Sequence, residues 1–325
     1  MRDKIVLITG ACGTFGKAFV KRVRELQPKQ IRLFSRDEYK QAKFAEELGT
    51  DLLHDPILRF MCGDVRDYDR LLTATEGVDI VIHAAAMKRI EKCEYDPQEA
   101  VKTNIIGSMN VINACLKNNV ENAIALSTDK AVDPVSLYGS TKMTMERLWI
   151  QANGYRGTRH KTKFSLVRYG NVFGARGNVV EVFKEQKEKG TLTVYSTDIT
   201  RFFITIDHAI DLVLMALEMN QGGEIFIPKL KAFNIFQLAE LMAGKAKIEV
   251  THDRTTEKIH EWMYTLEEKD RISVHGDYNI LHPKYPSWPY QLPENPVRPA
   301  EMETSGTVEK YSKKEIREML NYLGL

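Results

Sequence analysis

Cysteine is scarce in this chain. Its 325 residues contain four, Cys12, Cys62, Cys93 and Cys115, with neither C-x-x-C spacing nor the density of a secreted disulfide scaffold. Buried free thiols in a reducing compartment are the expectation. An excess of charge is also missing: 46 basic against 44 acidic residues leave a net +2, which gives no general attraction to nucleic acid or to an anionic membrane. Any anion has to be held locally. No stretch approaches the ~18 consecutive apolar residues of a membrane-spanning helix, and the opening "MRDKIVLITG" carries an apolar run too short for a signal-peptide core. The expectation is a soluble, cytoplasmic protein with no anchor, no nucleic-acid or membrane partner and no assigned metal site. No internal repeat is visible.

What is present is ample core-forming material, 43% of residues being hydrophobic. Six short apolar runs recur with helical patterns between them: "KIVLITG", "QIRLFSR", "ILRFMCGD", "VDIVIHAAA", "ENAIALSTD" and "KFSLVRYGNV". Each suits one strand buried on both faces. Between the fourth and fifth, Val101, Ile105, Met109, Ile112 and Leu116 fall at helical spacing and predict one long crossover helix. The alternation predicts an α/β fold, a doubly wound parallel (Rossmann-like) sheet over residues 1–175, with ligands beyond the carboxyl ends of the strands. After Gly174 the rhythm breaks. Residues 176–325 are assigned to a smaller substrate-binding region, with a return to the sheet near 204–229, an irregular Pro-rich segment "HPKYPSWPYQLPENPVRP" and a final amphipathic helix carrying Ile316, Met319, Leu320 and Leu323.

"ITGACGTFGKAF" sets Gly10, Gly13 and Gly16 in a G-x-x-G-x-x-G pattern after the first strand. Glycine lets a backbone turn tightly and approach a pyrophosphate, whose charge is met by helix N-terminal N–H groups. The candidate dinucleotide contacts in the turn are Gly10, Cys12, Gly13, Thr14, Phe15 and Gly16. At the end of the second strand an acid would bind a ribose 2′-hydroxyl, whereas Ser35 and Arg36, helped by Lys40, suit a 2′-phosphate. NADP is therefore favoured, with Asp37 and Glu38 keeping NAD as the alternative. Asp64 and Val65 of "GDVRD" belong beside the adenine pocket, and Ala84 and Ala85 of "HAAAMK" let the backbone lie close to the cofactor. His83 reads as a packed histidine ending a strand.

In "LSTDKAVDPVSLYGSTKM", Asp129 and Lys130 precede Tyr138 and Lys142, which share a helix face. That spacing lets the Lys142 ammonium lower the phenol's pKa and bond a cofactor ribose. Taken in order, the glycine turn, "GDV", "HAAA", Asn104 in "KTNIIGS", Ser127 and Thr128, the Tyr138/Lys142 pair and "RYGNV" resemble the extended short-chain dehydrogenase/reductase family. A simple alcohol oxidation or 4-epimerisation has no use for the Asp129/Lys130 pair. Elimination does, because a C4 ketone acidifies C5–H, and a base there with an acid at the C6 hydroxyl can expel water. "STDKA" with an intact Y-x-x-x-K, "SRDE", "RYGNV", "TRF" and "GGEIFIPK" closely resemble the inverting UDP-N-acetylglucosamine 4,6-dehydratases that begin nonulosonic acid synthesis of the pseudaminic acid type.

The resemblance implies roles for these positions. Tyr138, with Thr128 and Lys142, serves C4 oxidation; Lys130 is the C5 base and Asp129 the acid at C6. Burial near Lys142 and an oxidised nicotinamide would leave Lys130 neutral part of the time. Lys88, Asn104 and Ser127 join the cofactor set; Lys88, Asn171, Thr200 and Arg201 meet the nucleotide sugar. In "RTTEKIHE", Arg254 and Glu257 would contact phosphate and ribose, while Thr255 and Thr256 replace the family's Pro-Gly. A homo-oligomer built on dimers, up to a hexamer, is also implied, through the crossover and Tyr138 helices. The rivals are a nucleotide-sugar 4-epimerase, a 4,6-dehydratase/5-epimerase of the N-acetylfucosamine type, whose members often carry methionine at the tyrosine, and a non-catalytic dinucleotide-binding regulator, which the intact Tyr138 and Lys142 disfavour.

Overall fold

The computed structural model describes residues 1–155, 161–251, 256–294 and 296–325. The six apolar runs form six strands: β1 Ile5–Thr9, β2 Gln30–Ser35, β3 Leu58–Cys62, β4 Ile80–His83, β5 Asn122–Thr128 and β6 Lys163–Tyr169. They pair in parallel in the order 3-2-1-4-5-6. In β1 three successive residues, Val6, Leu7 and Ile8, have no exposed surface, as required where helices cover both faces of a parallel sheet. The order reverses between β1 and β4, which opens a crevice at their carboxyl ends.

Beyond β6 the sheet continues to nine strands. Ile225–Pro228, reached through the helix Ile206–Met219, pairs in parallel with β6. Tyr278–Leu281 and Ile272–His275 follow antiparallel, so residues 272–281, grouped from sequence with the substrate side, lie in the large sheet.

The crossover between β4 and β5 is interrupted. Helix Pro97–Val101 passes through a π turn, Lys102–Ile106, into helix Gly107–Lys117. The extra residue of a π turn rotates the preceding residues out of phase. Val101, before the turn, is 36% exposed, and Met109, in the same helix as the buried Ile112, is 39% exposed, so the continuous apolar face expected from spacing is not formed.

In a second apolar core, Phe173, Phe183, Leu192, Phe203, Phe233 and Leu238 are joined by Ile316 and Leu320 of the C-terminal helix Lys313–Tyr322. Cys12, Cys93 and Cys115 are buried free thiols; Cys62 departs from the expectation and is exposed, because it ends an outer strand. Among the described residues no helix is long and apolar enough to cross a membrane.

Candidate active site

A cavity of about 870 Å³ runs from the glycine turn to the second apolar core. Gly10 has φ +69°, and a Cβ on it would fall 2.9 Å from the Ala85 amide nitrogen. A Cβ on Gly16 would fall 2.5 Å from the Ala11 carbonyl oxygen. Only glycine permits both approaches. The helix Thr14–Arg24 that follows has no acidic residue in its first turn and no side-chain cap at Gly13. Its N-terminal N–H groups and positive dipole end face the crevice, an arrangement that fits a dinucleotide pyrophosphate. Cys12, Thr14, Phe15, Val65 and Ala84 line the same wall.

At the end of β2, Asp37 lines the cavity with its carboxylate already engaged. It caps the helix Glu38–Glu47 by accepting from Lys40 N at 3.0 Å, and it pairs with Lys40 Nζ at 2.7 Å. Asp64 is likewise engaged: it accepts from Arg66 N, Nε and Nη2 at 2.9, 3.0 and 2.7 Å. Burial pushes the Asp64 carboxyl up, but the Arg66 bonds outweigh it and hold the group below its ordinary value. Arg36 stands largely exposed at the rim, with Nη1 3.5 Å from Asp64 Oδ2, and Ser35 lies beside it on the wall.

His83 is a packed residue. It bonds Thr9 Oγ1 at 2.8 Å and Ser108 Oγ at 3.0 Å, stacks on Trp149 at 5.4 Å, and has its pKa pushed down to about 3 by burial, then by Lys142. Thr9 Oγ1 also accepts from Ala85 N at 3.2 Å, which ties the alanine segment to β1. Asn104, expected at the cofactor, stands behind the cavity wall. From the π turn its side chain accepts from Met87 N at 2.8 Å and donates to Met87 O at 2.9 Å and to Thr141 Oγ1 at 3.0 Å, so it clamps the backbone beside Lys88.

Tyr138 and Lys142 both reach the cavity from one face of the helix Leu137–Tyr155, with Ser127 and Thr128 of β5 opposite. The expected effect of Lys142 on the phenol is not realised in this state. Lys142 Nζ donates to the Leu126 carbonyl at 2.6 Å; burial pushes its pKa down to about 8 while Glu146 supports its charge. Burial, then Asp129, pushes the Tyr138 phenol up, opposed by its bond with Thr128.

Lys130 lines the wall, and Asp129 lies fully buried behind it. Lys130 Nζ donates to Asp129 Oδ1 and to Asn171 Oδ1, both at 3.0 Å. Asp129 Oδ1 also accepts from Thr128 Oγ1 at 2.9 Å, while its Oδ2 has no hydrogen-bond partner among the described residues. Burial draws the Lys130 pKa down, but Asp129 and Glu261 override it and hold the ammonium above its ordinary value. In this state the carboxylates around it keep the amine charged.

Beneath these residues lies a buried charge network absent from the sequence reading. Arg168 of β6 bonds Glu146 at 2.7 and 3.0 Å and Glu268 at 2.8 and 3.1 Å. Ser127 Oγ donates to Glu146 at 2.6 Å. The network locks the Tyr138 helix to β5, β6 and the segment after residue 260.

Elsewhere on the wall, Lys88 Nζ donates to the Arg176 carbonyl at 3.1 Å. Burial, then Arg89, lowers the Lys88 pKa. Arg89 and Arg176 share the wall with Lys88 and were missed from sequence. A signal existed: Arg176 lies between Gly174 and Gly177, whose φ values of +71° and +75° mark a tight loop. Arg176 N donates to Thr14 Oγ1 at 3.3 Å, bringing that loop onto the glycine turn. Arg201 is 2% exposed, with Nη2 2.7 Å from Glu257 Oε1, and both line the cavity. Thr200, expected at the substrate, is turned away and bonds His260 Nδ1 at 2.8 Å and Ser305 Oγ at 2.7 Å; neighbouring strand residues point to opposite faces. Arg254 and Thr255 lie outside the described residues. No group of three or more potential metal ligands occurs among the described residues.

Comparison with known proteins adds an independent line. The family model described as polysaccharide biosynthesis protein matches residues 6–283. A UDP-N-acetylglucosamine 4,6-dehydratase (inverting) of Campylobacter jejuni is 42% identical over 283 residues, covering 86% of this chain and 83% of its own. A UDP-glucose 4-epimerase of Rickettsia bellii is 40% identical over 287 residues, covering 85% of this chain and 82% of its own. The X-ray structure of Pen from Bacillus thuringiensis aligns with a TM-score of 0.89 at 35% identity and covers 99% of each chain.

Proposed function

The chain belongs to the polysaccharide biosynthesis protein family, and from that premise we propose that it catalyses NADP-dependent 4,6-dehydration of UDP-N-acetylglucosamine with inversion at C5. The observation that carries this reading is the placing of Lys130 and Asn171 on the wall that also holds Tyr138 and Lys142, with Asp129 bonded to Lys130 from behind it. Epimerisation at C4 alone has no use for that pair.

The glycine turn, with Ser35, Arg36 and Lys40 at the 2′-phosphate and Lys142 at the ribose, would hold the dinucleotide. The engagement of Asp37 as a helix cap supports NADP over NAD. When bound, the dinucleotide would supply oxidation at C4, by taking up a hydride there, and reduction at C6, by giving that hydride back after water is lost, so the overall reaction is redox-neutral. Tyr138, oriented by Thr128, accepts the 4-hydroxyl proton. With C4 a ketone, Lys130 removes the acidified C5 proton, and Asp129 protonates the C6 hydroxyl, which departs as water. One proton moved across the 3.0 Å Lys130–Asp129 contact converts ammonium and carboxylate into the amine and acid that this step needs. Asn171 steadies the amine, and reprotonation of C5 from the opposite face gives the arabino 4-keto sugar. Lys88, with Arg89 and Arg176, is assigned to the diphosphate, and Arg201 with Glu257 to the nucleotide end.

A dimer-based homo-oligomer is part of the proposal. Tyr95, Val101, Ile106 and Met109 expose apolar surface along the crossover, a surface that a second copy would cover; a monomeric sedimentation coefficient would refute it.

The test of function is incubation with UDP-N-acetylglucosamine in deuterated water, followed by proton NMR. The expected product is a 6-deoxy-4-keto sugar with deuterium at C5 and inverted ring couplings. Retained configuration would move the protein to a retaining dehydratase. Exchange into the galacto epimer without water loss would favour the 4-epimerase reading, which the Rickettsia relative's name supports.

A further inference from the structure

Glu261 closes the "RTTEKIHE" segment and takes no part in the chemistry above. Its side chain is 4% exposed, with Oε1 3.7 Å from Lys130 Nζ and 3.8 Å from Arg201 Nε. Oε2 lies 3.5 Å from Lys258 Nζ and has no hydrogen-bond partner among the described residues. A carboxylate buried with one oxygen unbonded is costly unless cations sustain its charge. Three cations converge on this one.

The carboxylate cannot easily withdraw. Glu261 N donates to Ser305 Oγ and Glu261 O accepts from Ser305 N, both at 2.8 Å. Ser305, fully buried, also donates to Thr200 O at 3.0 Å. Gly306 lies against the His260 ring so closely that a Cβ would fall 2.8 Å from it. The segment around residue 305 thus straps Glu261 and the Arg201 strand together behind Lys130.

The groups facing Lys130 form a short set. Asp129 approaches from the end of β5 at 3.0 Å and Glu261 from the strap at 3.7 Å. Arg201 opposes them from the strand Thr200–Ile204, and Asn171 is neutral. Tyr138 reaches the pair through Thr128 and Asp129, Glu257 neutralises Arg201, and Lys258 faces the far oxygen of Glu261.

We propose that Glu261 is a positioning residue whose charge sets how tightly Lys130 holds its proton, tempered by Lys258 at the other oxygen. The catalytic consequence rests on the dehydratase reading; the electrostatic coupling does not. Both carboxylates favour the charged form of Lys130 against the cost of burial, and Arg201 works against them.

The direct test is pH-dependent acylation of Lys130 in the full chain, read by peptide mass spectrometry. Removal of a negative charge at this distance lowers neighbouring pKa values by about 1–3 units. Glu261→Gln should move the Lys130 titration that far towards acid, Lys258→Met should move it towards alkali, and Glu261→Asp should hold it near wild type. An unmoved midpoint in Glu261→Gln overturns the proposal, even if reactivity falls. The opposite sign expected of Lys258→Met keeps the test intact if Glu261→Gln does not fold. The pH–rate profile for water loss should shift in the same directions, because a removed negative charge lowers both apparent pKa values of the Asp129/Lys130 pair. If the wild type fails to dehydrate its substrate, the functional reading falls, while the acylation titration still decides the role of Glu261.

Discussion

Lys130 and Asp129 are neighbours in sequence and are also joined side chain to side chain, Nζ to Oδ1 at 3.0 Å, with Asn171 receiving a second bond from the same ammonium. Adjacent residues on a strand point apart. They meet here because the strand ends at Thr128 and a short 3₁₀ turn over Asp129–Ala131 curls the chain back.

Replacement of Lys130 by methionine keeps the stem and removes the proposed proton acceptor. Water loss from UDP-N-acetylglucosamine should fall by roughly 10²–10⁴-fold, while dinucleotide affinity, measured by titration calorimetry, should stay within about twofold because Lys130 lies outside the proposed cofactor contacts. Turnover at the wild-type rate would remove Lys130 from the mechanism.

Arg36 stands at the rim of the cavity, held by a single 3.5 Å approach to Asp64. Arg36→Ala should weaken NADP binding by about tenfold or more and NAD binding far less, since charge-assisted bonds to a phosphate contribute ~1.5–3 kcal/mol. Equal losses for the two dinucleotides would show that Arg36 meets no 2′-phosphate.

Arg168 is 1% exposed between Glu146 and Glu268. Arg168→Met would leave two carboxylates buried without their counter-charge, a change that costs about 3–5 kcal/mol. Urea denaturation should report that loss as a lower midpoint; a midpoint within error of wild type would mean the network is dispensable.

Burial lowers the Lys142 pKa from 10.5 to about 8. The unfolded chain therefore binds more protons than the folded one between those values. Wild-type stability should rise relative to Lys142→Met as pH increases from about 8 to 10.5, and the penalty for the buried ammonium is fully present below pH 8. Denaturant midpoints for both proteins across that range provide the check. A constant difference would mean that Lys142 titrates normally when folded.

Much of this molecule was legible in one dimension. Continuous apolar runs such as "KIVLITG" specify strands covered on both faces, and a glycine turn after the first of them specifies the crevice, because only residues without a Cβ allow Ala85 and Ala11 to approach so closely. The Tyr138/Lys142 spacing likewise fixes a shared helix face. Sequence by itself therefore determined the doubly wound architecture, the glycine crevice and the local pairing of chemical groups.

Tertiary structure decided the rest, through contacts across long stretches of chain. No local pattern reveals that residues 272–281 join the large sheet, or that a π turn in the crossover puts Asn104 behind the wall as a clamp on Met87. Strand alternation turned Thr200 away while leaving Arg201 in the cavity. Protonation was the least legible property of all. Burial alone would discharge Lys130, yet Glu261, 131 positions further along the chain and strapped by Ser305, helps to keep it charged. Propensity and pattern act over a few residues, whereas Coulomb forces and packing act over ångströms regardless of sequence separation.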